Sequence, residues 1–459
     1  MSGGPAVGTM ASPLDRVIRD EVHRDVLVPA AHASILDTRE FQRLRYVRQL
    51  ATCEYVFPSA THTRFAHSLG AYHLAGRLLD ALEVAHPGAI DPDDGELVRL
   101  AALLHDVGHP PFSHLLETPE VFATFHSHET WGKELLVSEQ TEVGQAVRNV
   151  VGEPRFGRLL AMFEGASDHA GIPIPKALKE VVSSQLDVDR MDYLVRDQAN
   201  TGAQIGGFDI DRVLRALRMA PEGGLRAKSW GLPAIEAYLV TRYHMYLQVY
   251  FHKVNMLTQT YLVRMLSRAR ALANEGRLAL SSDLEAMLLD DALSPERYAS
   301  LHDAHVLVAL PAWAAHDDEA LRSDAVRLLS RRDYHKSLRI RDLTRSMVAQ
   351  VESDLRTLVA ESGFDPTTDV ITAAVRKHGY LPYDQGILLE DGRDVAEHSP
   401  IVRALTQAAD RALIFVPAEV RDAAEALVRE RVMPGQASLD RFMEGGNLMT
   451  DAPKGTPDP

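Results

Sequence analysis

The sequence contains a single cysteine, Cys53, in 459 residues. One thiol excludes an intramolecular disulfide and a metal site built from several cysteines. Long apolar runs are also missing, since a stretch such as 100–104 is far shorter than the roughly 20 apolar residues of a membrane-spanning helix. Residues 1–13 lack the basic segment and following apolar stretch of a secretory signal. These absences predict a cytoplasmic protein.

Positive charge is outnumbered, and the formal net charge is -15 at pH 7. This deficit argues against the coating of nucleic acid or of anionic membranes as the main role, because both surfaces are negatively charged and attract basic proteins. A small phosphate-bearing substrate remains compatible, since it needs only a local positive field from a metal ion or a few basic side chains. The sequence has such a local cluster at Arg39, Arg43, Arg45 and Arg48.

Helical periodicity dominates the chain from about residue 12 to residue 345, as in the spacing of Leu69, Leu74, Leu78 and Leu82. An amphipathic helix at 346–362 is then followed by short apolar runs at 370–375, 387–389 and 412–416, which are typical of strands. A final helix is predicted at 418–432. We therefore predict a mainly α fold with a helical domain at 14–345 and a small α+β lobe at 346–444. Residues 1–13 and 445–459 are predicted to be flexible.

Histidines are concentrated in one part of the chain. Nine of the 20 lie between positions 62 and 128, namely His62, His67, His73, His86, His105, His109, His114, His126 and His128. A lone histidine on an apolar helix is most often an ordinary core residue. A concentration of this kind, interrupted by glycine and proline turns, indicates metal binding or proton transfer instead.

The adjacent pair His105-Asp106 ends an apolar helix, and Gly108 then allows the backbone to turn. Adjacent helical residues project about 100° apart, so both side chains could reach one ion at the helix end. Further ligands must come from elsewhere, and His67 and Asp189 each lie at the head of another amphipathic helix. Two imidazoles and two carboxylates suit Zn, Fe, Mn or Mg, and leave positions open for water and a phosphate oxygen.

This spaced pattern resembles the signature of the HD-domain phosphohydrolases. The resemblance extends to the deoxynucleoside triphosphate triphosphohydrolases, in particular the SAM-and-HD-domain branch, and it runs from about residue 17 to about residue 432 without a preceding SAM domain. It is carried by the motifs Asp37-Thr-Arg-Glu-Phe-Gln-Arg-Leu-Arg-Tyr-Val-Arg-Gln-Leu50, Tyr55-Val-Phe-Pro58, His62-Thr-Arg-Phe-Ala-His-Ser-Leu-Gly70, His105-Asp-Val-Gly-His-Pro-Pro-Phe-Ser-His114, Asp187-Val-Asp-Arg-Met-Asp-Tyr193 and Tyr250-Phe-His-Lys-Val254. It implies an HD-type helical core.

The resemblance also implies roles for individual residues. The metal ligands would be His67, His105, Asp106 and Asp189. The phosphates would be faced by His109 and His114 and by the pair His128-Glu129, with His128 as general acid and Glu129 orienting it. The substrate would be bound by Arg64, Arg190 and Arg242 at the phosphates, Tyr193 and Asp197 at the sugar, Gln49 and Leu50 near the sugar and base, and Tyr250.

Two of these features also allow simpler interpretations. His128-Glu129 is also compatible with the start of a surface helix, although the catalytic interpretation is favoured. Asp189, Tyr193, Arg196 and Asp197 share one helical face, which either is solvated or lines a polar pocket.

The same resemblance implies a second nucleotide site. Asp37, Gln42 and Arg45 match residues that read guanine at an activating site, so GTP or a dNTP is a candidate activator. Val56, Phe57, His252 and Lys253 match residues near nucleotide sites that bridge subunits, which implies a homotetramer. Without the resemblance, the arginine-rich helix would be interpreted as a solvated face.

Some positions depart from that branch: Tyr246 replaces a histidine, Leu247 and Gln248 replace basic residues, and Phe251 replaces a glutamine. The departures put base preference in doubt. The leading hypothesis is hydrolysis of a dNTP to a deoxynucleoside and tripolyphosphate with a divalent metal (Zn, Fe or Mn, with Mg accompanying the nucleotide). The alternatives are a phosphomonoesterase or phosphodiesterase acting on another nucleotide, and a non-catalytic nucleotide sensor.

Overall fold

The structure, a computed structural model, describes residues 15–340, 342–382 and 386–432. The described chain divides into two compact units, one comprising residues 15–330 and 378–408 and the other comprising 331–377 and 409–432. The sequence placed the boundary at residue 345, whereas the structure changes unit at Arg331 and returns residues 378–408 to the first unit. The predicted flexible segments at 1–13 and 445–459 lie outside the described residues.

The first unit is helical, as expected for the predicted mainly α fold. Its helices up to Ser330 are α1 (Ala30–Leu36), α2 (Arg39–Arg43), α3 (Arg64–Ala85), α4 (Pro92–Leu104), α5 (His128–Val137), α6 (Glu142–Val151), α7 (Glu153–Phe163), α8 (Lys176–Val182), α9 (Val188–Thr201), α10 (Ile210–Ala216), α11 (Leu232–Met245), α12 (Lys253–Asn274), α13 (Ser282–Leu288), α14 (Pro295–Tyr298), α15 (Asp303–Trp313) and α16 (Glu319–Ser330). Short 3-10 turns lie at Leu44–Tyr46, Cys53–Tyr55, Ser113–Leu116 and Ser229–Gly231.

The remaining helices are α17 (Arg345–Glu361) and α20 (Arg421–Val432) of the second unit, and α18 (Val395–His398) and α19 (Pro400–Leu405) of the first. The strands are β1 (Arg16–Asp20), β2 (Arg24–Val28), β3 (Asp168–His169), β4 (Ile172–Pro173), β5 (Leu217–Met219), β6 (Leu225–Ala227), β7 (Lys336–Ser337), β8 (Ile371–His378) and β9 (Ala408–Val416). They range from two to nine residues, and the pairs β1–β2, β3–β4, β5–β6 and β7–β9 are antiparallel. No described helix is long and apolar enough to cross a membrane.

Helix α3 is the centre of the first unit and packs against α4 and α9. Leu74, Leu78 and Leu82 follow the helical period and are fully buried. Burying each leucine contributes roughly 1.5–3 kcal/mol. The packing brings together the start of α3, the end of α4 and the start of α9, which are the three places where the predicted ligands lie.

Capping side chains help to define where these helices begin. Asp91 precedes α4 and accepts hydrogen bonds from the N–H groups of Asp93 and Asp94. Asp187 precedes α9 and accepts from the N–H of Arg190 at 2.8 Å. Each cap satisfies backbone donors that the first helical turn leaves unpaired, which sets the position of the next residues along the helix.

The second unit contains the predicted α+β lobe, in which α17 and α20 pack together and the sheet has the order β7-β9-β8. Val351, Leu355 and Val428 lie in its core. The strand predicted at 387–389 is wrong. This segment belongs to the first unit, and its Leu388 and Leu389 form only isolated bridges, to Asp394 and Ala227, instead of a ladder.

Candidate active site

The four predicted metal ligands converge at the meeting point of α3, α4 and α9. His67 Nε2 lies 3.3 Å from His105 Nε2, 3.4 Å from Asp106 Oδ2 and 3.1 Å from Asp189 Oδ1. His105 Nε2 lies 3.2 Å from Asp106 Oδ1 and 3.7 Å from Asp189 Oδ1. Ligand atoms around an ion with bonds of about 2.0–2.2 Å are separated by roughly 3.0–3.5 Å, so most of these distances match a shared cation.

The other ring nitrogens determine how the two imidazoles are protonated. His105 Nδ1 donates to the carbonyl oxygen of Ala102 at 2.9 Å, because a carbonyl can only accept. His67 Nδ1 lies 2.7 Å from the carboxylate of Asp192 and donates to it. In the neutral tautomers, both Nε2 atoms therefore direct lone pairs at each other and at two carboxylates. A cation between them removes this repulsion.

The charge balance of the cluster also fits a cation. Burial lowers the pKa of His67, yet hydrogen bonds to Asp189 and Asp192 raise it to about 10. Burial raises the pKa of Asp106, while the charges of Arg64 and His105 hold it well below its usual range. The carboxylates therefore stay ionised and favour positive charge at this point. The donor set suits a divalent metal, although it does not select one.

Arg64, predicted to bind phosphate, is buried beside the cluster. Its guanidinium donates to Asp106 Oδ2 at 2.6 Å and to Ser113 Oγ at 2.8 Å. The structure thus gives Arg64 a contact that the sequence did not suggest, orientation of a candidate ligand. Its phosphate contact stays a prediction.

A second cluster contains His109, His114, His128 and Glu117, whose ligand-type atoms also lie close together. Glu117 Oε1 accepts from the backbone N–H of His128 at 2.8 Å and lies 3.0 Å from its Nδ1. Glu117 Oε2 lies 3.0 Å from His114 Nδ1. Although burial raises the pKa of Glu117, the hydrogen bonds from His114 and His128 lower it well below its usual range, so the carboxylate is ionised.

Sequence reasoning missed Glu117 and assigned the orienting role to Glu129. The Glu129 side chain is 70% exposed, and its Oε1 lies 3.3 Å from His128 Nε2 rather than Nδ1. The only sequence signal for Glu117 was its position three residues after His114, which also suits a surface glutamate. The orienting role of Glu129 stays a prediction.

His109 connects the two clusters. Its Nε2 lies 3.2 Å from Asp106 Oδ1, and its ring stacks on that of His128 with centroids 4.0 Å apart and an interplanar angle of 10°. Burial and the nearby charge of Arg64 hold the pKa of His109 well below its usual range, so the ring is neutral. The candidate proton donor and the candidate metal ligands are therefore one ring apart.

The turn between the clusters is held by close contacts. A Cβ on Gly108 would overlap the carbonyl oxygen of His128 and the backbone of Gly132, so only glycine allows this approach to α5. Phe112 and Ser113 both have left-handed backbone conformations, with φ of 56°. Asp303 stabilises them by accepting from the Phe112 N–H at 2.7 Å. Such strain is often retained at functional sites.

The predicted phosphate- and sugar-binding residues mostly have partners within the protein. Arg190 Nε donates to the carbonyl of Ser184 at 2.9 Å, and buried Arg242 donates to Gln185 Oε1 at 2.7 Å. Asp197 accepts a hydrogen bond from the Tyr250 hydroxyl at 2.7 Å and contacts His62 Nε2 at 2.7 Å. Of the remaining members, Tyr193 is half-buried, Gln49 is buried, and Leu50 packs against the core. Their substrate contacts stay predictions.

The residues predicted to form an activating site fall into two local groups. Asp37 accepts from Arg16 of β1 at 2.6 Å. Gln42 accepts from Arg45 at 2.7 Å, and the Arg45 guanidinium lies 3.6 Å from the ring centroid of Phe65. In the second group, the rings of Phe57 and His252 meet edge to face at 6.0 Å, Val56 is half-buried and Lys253 is exposed.

The departures noted in the sequence occur between two helices. Tyr246–Tyr250 forms a π-helical turn between α11 and α12, inside the stretch for which helical periodicity was predicted. Tyr246 packs edge-on against Tyr250 at 5.3 Å and near-parallel to Phe251 at 5.6 Å. π-helical turns are frequent at functional sites because they redirect side chains locally.

The chain is similar to known proteins over most of its length. The HD domain family matches residues 64–197, and the HD associated region matches residues 208–433. Uncharacterized protein YwfO of Bacillus subtilis is 36% identical over 372 residues, 81% of each chain. Human deoxynucleoside triphosphate triphosphohydrolase SAMHD1 is 33% identical over 270 residues, which span 53% of this chain and 43% of the human protein.

Two solved structures share the architecture. A phosphohydrolase from Bacteroides thetaiotaomicron superposes with a TM-score of 0.74 at 27% identity, covering 88% of this chain and 99% of that one. A hypothetical protein from Aquifex aeolicus superposes with a TM-score of 0.69 at 30% identity, covering 90% of this chain and all of that one, at 100%.

Proposed function

The chain belongs to the HD-domain phosphohydrolase family, and from this membership we propose that it hydrolyses a dNTP to a deoxynucleoside and inorganic tripolyphosphate. The proposal is supported most directly by one observation, the placement of His109 between the ligand cluster and His128. A phosphoryl group held at the ligand cluster would lie within reach of a proton donor one imidazole away. Similarity to the human triphosphohydrolase supports the choice of substrate.

His67, His105, Asp106 and Asp189 would hold the metal. A bound divalent ion supplies positive charge to the phosphate and opposes the charge that develops on it. Arg64 keeps Asp106 ionised and directed at the cluster, since the two side chains are 2.6 Å apart. Arg190 of α9 and Arg242 of α11 would bind the outer phosphates through their guanidinium groups.

In the reaction, the oxygen of a water molecule bonds to the α-phosphorus while the bond from that phosphorus to the sugar 5′-oxygen breaks. His128 would give a proton to the departing oxygen, which is otherwise a poor leaving group. Glu117 fixes an N–H at Nδ1 of His128, so Nε2 is the atom that hands over the proton. The attacking water loses a proton to the solvent and His128 regains one from the solvent, so the products are the neutral 5′-hydroxyl of the nucleoside and tripolyphosphate.

The direct test is product analysis with each dNTP, in Mn²⁺ or Mg²⁺, with and without GTP. Deoxynucleoside and tripolyphosphate in equal amounts are the expected products. Release of pyrophosphate or orthophosphate instead would overturn the triphosphohydrolase assignment.

A second candidate, a phosphomonoesterase or phosphodiesterase for another nucleotide, is favoured by the aromatic group around Tyr246. Tyr246 and Phe251 pack together at 5.6 Å, where the resembling branch has a histidine and a glutamine. A binding surface that lacks the imidazole and the amide of that branch would recognise a different base or no base. This candidate is tested with a panel of NTPs, nucleoside monophosphates and cyclic nucleotides. It requires turnover of at least one of these compounds and no turnover of dNTPs.

Nucleotide activation and a homotetramer also belong to the proposal. The Asp37 side chain is 53% exposed and would accept from a guanine, in competition with Arg16. Stimulation of dNTP turnover by GTP, together with a shift of the protein to tetramer mass in light scattering, is the expected result. Full activity of a monomer without a second nucleotide would contradict both parts.

A further inference from the structure

The turn of the β1–β2 hairpin reaches the buried face of α9. β1 pairs with β2 from Arg16↔Val28 to Asp20↔Arg24, and the turn carries His23. Asp20 stabilises the turn by accepting from the backbone N–H groups of Val22 and His23 at 2.9 and 2.8 Å. The His23 side chain is only 5% exposed, although it lies in a hairpin turn. Its imidazole is therefore directed into the protein.

The His23 imidazole contacts the carboxylate of Asp192, a residue with no exposed surface. Asp192 Oδ1 contacts His23 Nε2 at 2.6 Å and accepts from Arg196 at 3.0 Å. Asp192 Oδ2 accepts from Arg196 Nε at 2.9 Å and from His67 Nδ1 at 2.7 Å. Both oxygens thus have two donors, and the plane of the carboxylate is fixed.

The same hairpin also contacts Arg196, the arginine that donates to Asp192. Arg196 is fully buried and donates to Asp20 Oδ2 at 2.8 Å and to Glu21 Oε1 at 3.0 Å. The guanidinium therefore lies between two acidic groups of the hairpin and the acidic group of α9. Such a network is held together by the chain segments that meet in it, here β1, its turn and α9.

Space around Asp192 is limited by α3. A Cβ on Gly70 would overlap Asp192 Oδ1 and the Arg196 guanidinium, so α3 approaches α9 closely only because position 70 is glycine. Gly70 lies one helical turn after His67. The close approach keeps Asp192 within hydrogen-bond distance of His67 Nδ1.

We propose that His23 is a positioning residue for the metal ligand His67, acting through Asp192. This inference rests on the metal-binding part of the proposed function. His23 saturates Asp192 Oδ1 and holds the carboxylate in the orientation that accepts the His67 Nδ1 proton. That hydrogen bond occupies Nδ1 and fixes the rotation of the ring, so Nε2 is the nitrogen directed at the ligand cluster. The hairpin in this way stabilises the metal site, although most of the site's residues lie far from it in the sequence.

Loss of the His23 donor is expected to weaken metal binding. Removing groups that orient metal ligands lowers metal affinity by about 10–100-fold. Because His23 acts through one intervening carboxylate, we expect a change of about tenfold for His23→Leu. His23→Gln is expected to restore most of the affinity, since an amide nitrogen of glutamine can replace Nε2 as donor.

The experiment uses the full chain, freed of metal by chelation and titrated with Mn²⁺ in a calorimeter, with thermal unfolding measured on the same samples. His67→Ala identifies the binding event that belongs to this site. His32→Leu is the matched control, because His32 is also buried, with Nε2 on a carboxylate, Glu96, at 2.9 Å, but lies outside this network. If His23→Leu fails to fold, His23→Asn replaces it, since its shorter amide does not reach Asp192.

Weakened Mn²⁺ binding in His23→Leu, recovery in His23→Gln and unchanged binding in His32→Leu support the positioning role, whatever the effects on unfolding temperature. Equal affinity in His23→Leu and the unaltered protein overturns it, and so does an equal loss in His32→Leu. Mn²⁺ binding that His67→Ala leaves unchanged overturns the metal site together with the inference. The expected order of affinities without turnover of any nucleotide supports the positioning role and overturns the proposed activity.

Discussion

The backbone and side chain of His128 are both bound by one carboxylate, that of Glu117. Oε1 of Glu117 accepts from the His128 backbone N–H at 2.8 Å and lies 3.0 Å from Nδ1. The double contact fixes both the start of α5 and the rotation of the imidazole. A proton donor must be oriented before it can act, so Glu117 is expected to affect the rate of the chemical step.

Glu117→Gln is expected to lower kcat for dNTP hydrolysis by about 100-fold, within the range attributed to general acid catalysis, with a smaller change in KM. A glutamine can keep one contact but does not hold the Nδ1 proton as a carboxylate does. Steady-state kinetics measure the effect. Glu129→Gln is the matched control on the 70% exposed side chain, and a larger loss of kcat in that variant than in Glu117→Gln would contradict the assignment.

The depressed pKa of Glu117 also predicts a pH dependence of stability. A carboxyl group whose pKa is lower in the folded protein stabilises it above the unfolded pKa of about 4.3. That contribution is lost as pH falls from there toward the folded pKa. The difference in unfolding free energy between the unaltered protein and Glu117→Gln should therefore be constant from pH 7 to pH 5 and shrink below about pH 4.3. Urea denaturation at several pH values measures it, and a difference that grows on acidification would refute the prediction.

Substitution of the ligand pair should remove metal and activity together. We expect His105→Ala and Asp106→Ala each to lose more than about 100-fold in turnover and to retain little metal after dialysis, as measured by elemental analysis. Asp93→Ala is the control, since Asp93 lies at the start of α4, the helix that the ligand pair follows, and its side chain is 69% exposed. Full activity in either ligand variant would exclude the metal assignment.

Chelation should lower the thermal stability of the unaltered protein. A ligand bound at 100 times its Kd stabilises the folded state by about 2.7 kcal/mol. Thermal unfolding with and without EDTA, followed by re-addition of Mn²⁺, measures the effect. The His67→Ala protein should respond much less to EDTA, because His67 is at the centre of the cluster.

Activation by GTP should depend on Asp37. We expect Asp37→Asn to raise the GTP concentration for half-activation by about tenfold or more, since a hydrogen bond to a charged group contributes roughly 1.5–3 kcal/mol. Turnover without activator should be unchanged. Asp25→Asn is the control, because Asp25 is also exposed and pairs with Arg19 at 3.0 Å. Equal responses of the two variants to GTP would contradict a guanine site at Asp37.

Predictions from the sequence were most successful where the signal is local. The mainly α fold follows from hydrophobic spacing within single helices, and α17 (Arg345–Glu361) lies within one residue of the predicted 346–362 at each end. The segment 387–389 was misassigned because a short apolar run suits a strand or a buried loop equally, and its pairing depends on distant residues.

The sequence by itself determined which residues are the candidate metal ligands, since His67, His105-Asp106 and Asp189 lie in recognisable motifs at helix ends. Only the tertiary structure decided which charged groups support them. Arg64 pairs with Asp106, 42 residues away, and His23 pairs with Asp192, 169 residues away. Nδ1 of His128 contacts Glu117, and not Glu129, which directly follows His128 in the sequence. The reason is physical: a motif specifies which side chains begin a helix, whereas the partner of a buried charge is selected by the packing of separate segments around it.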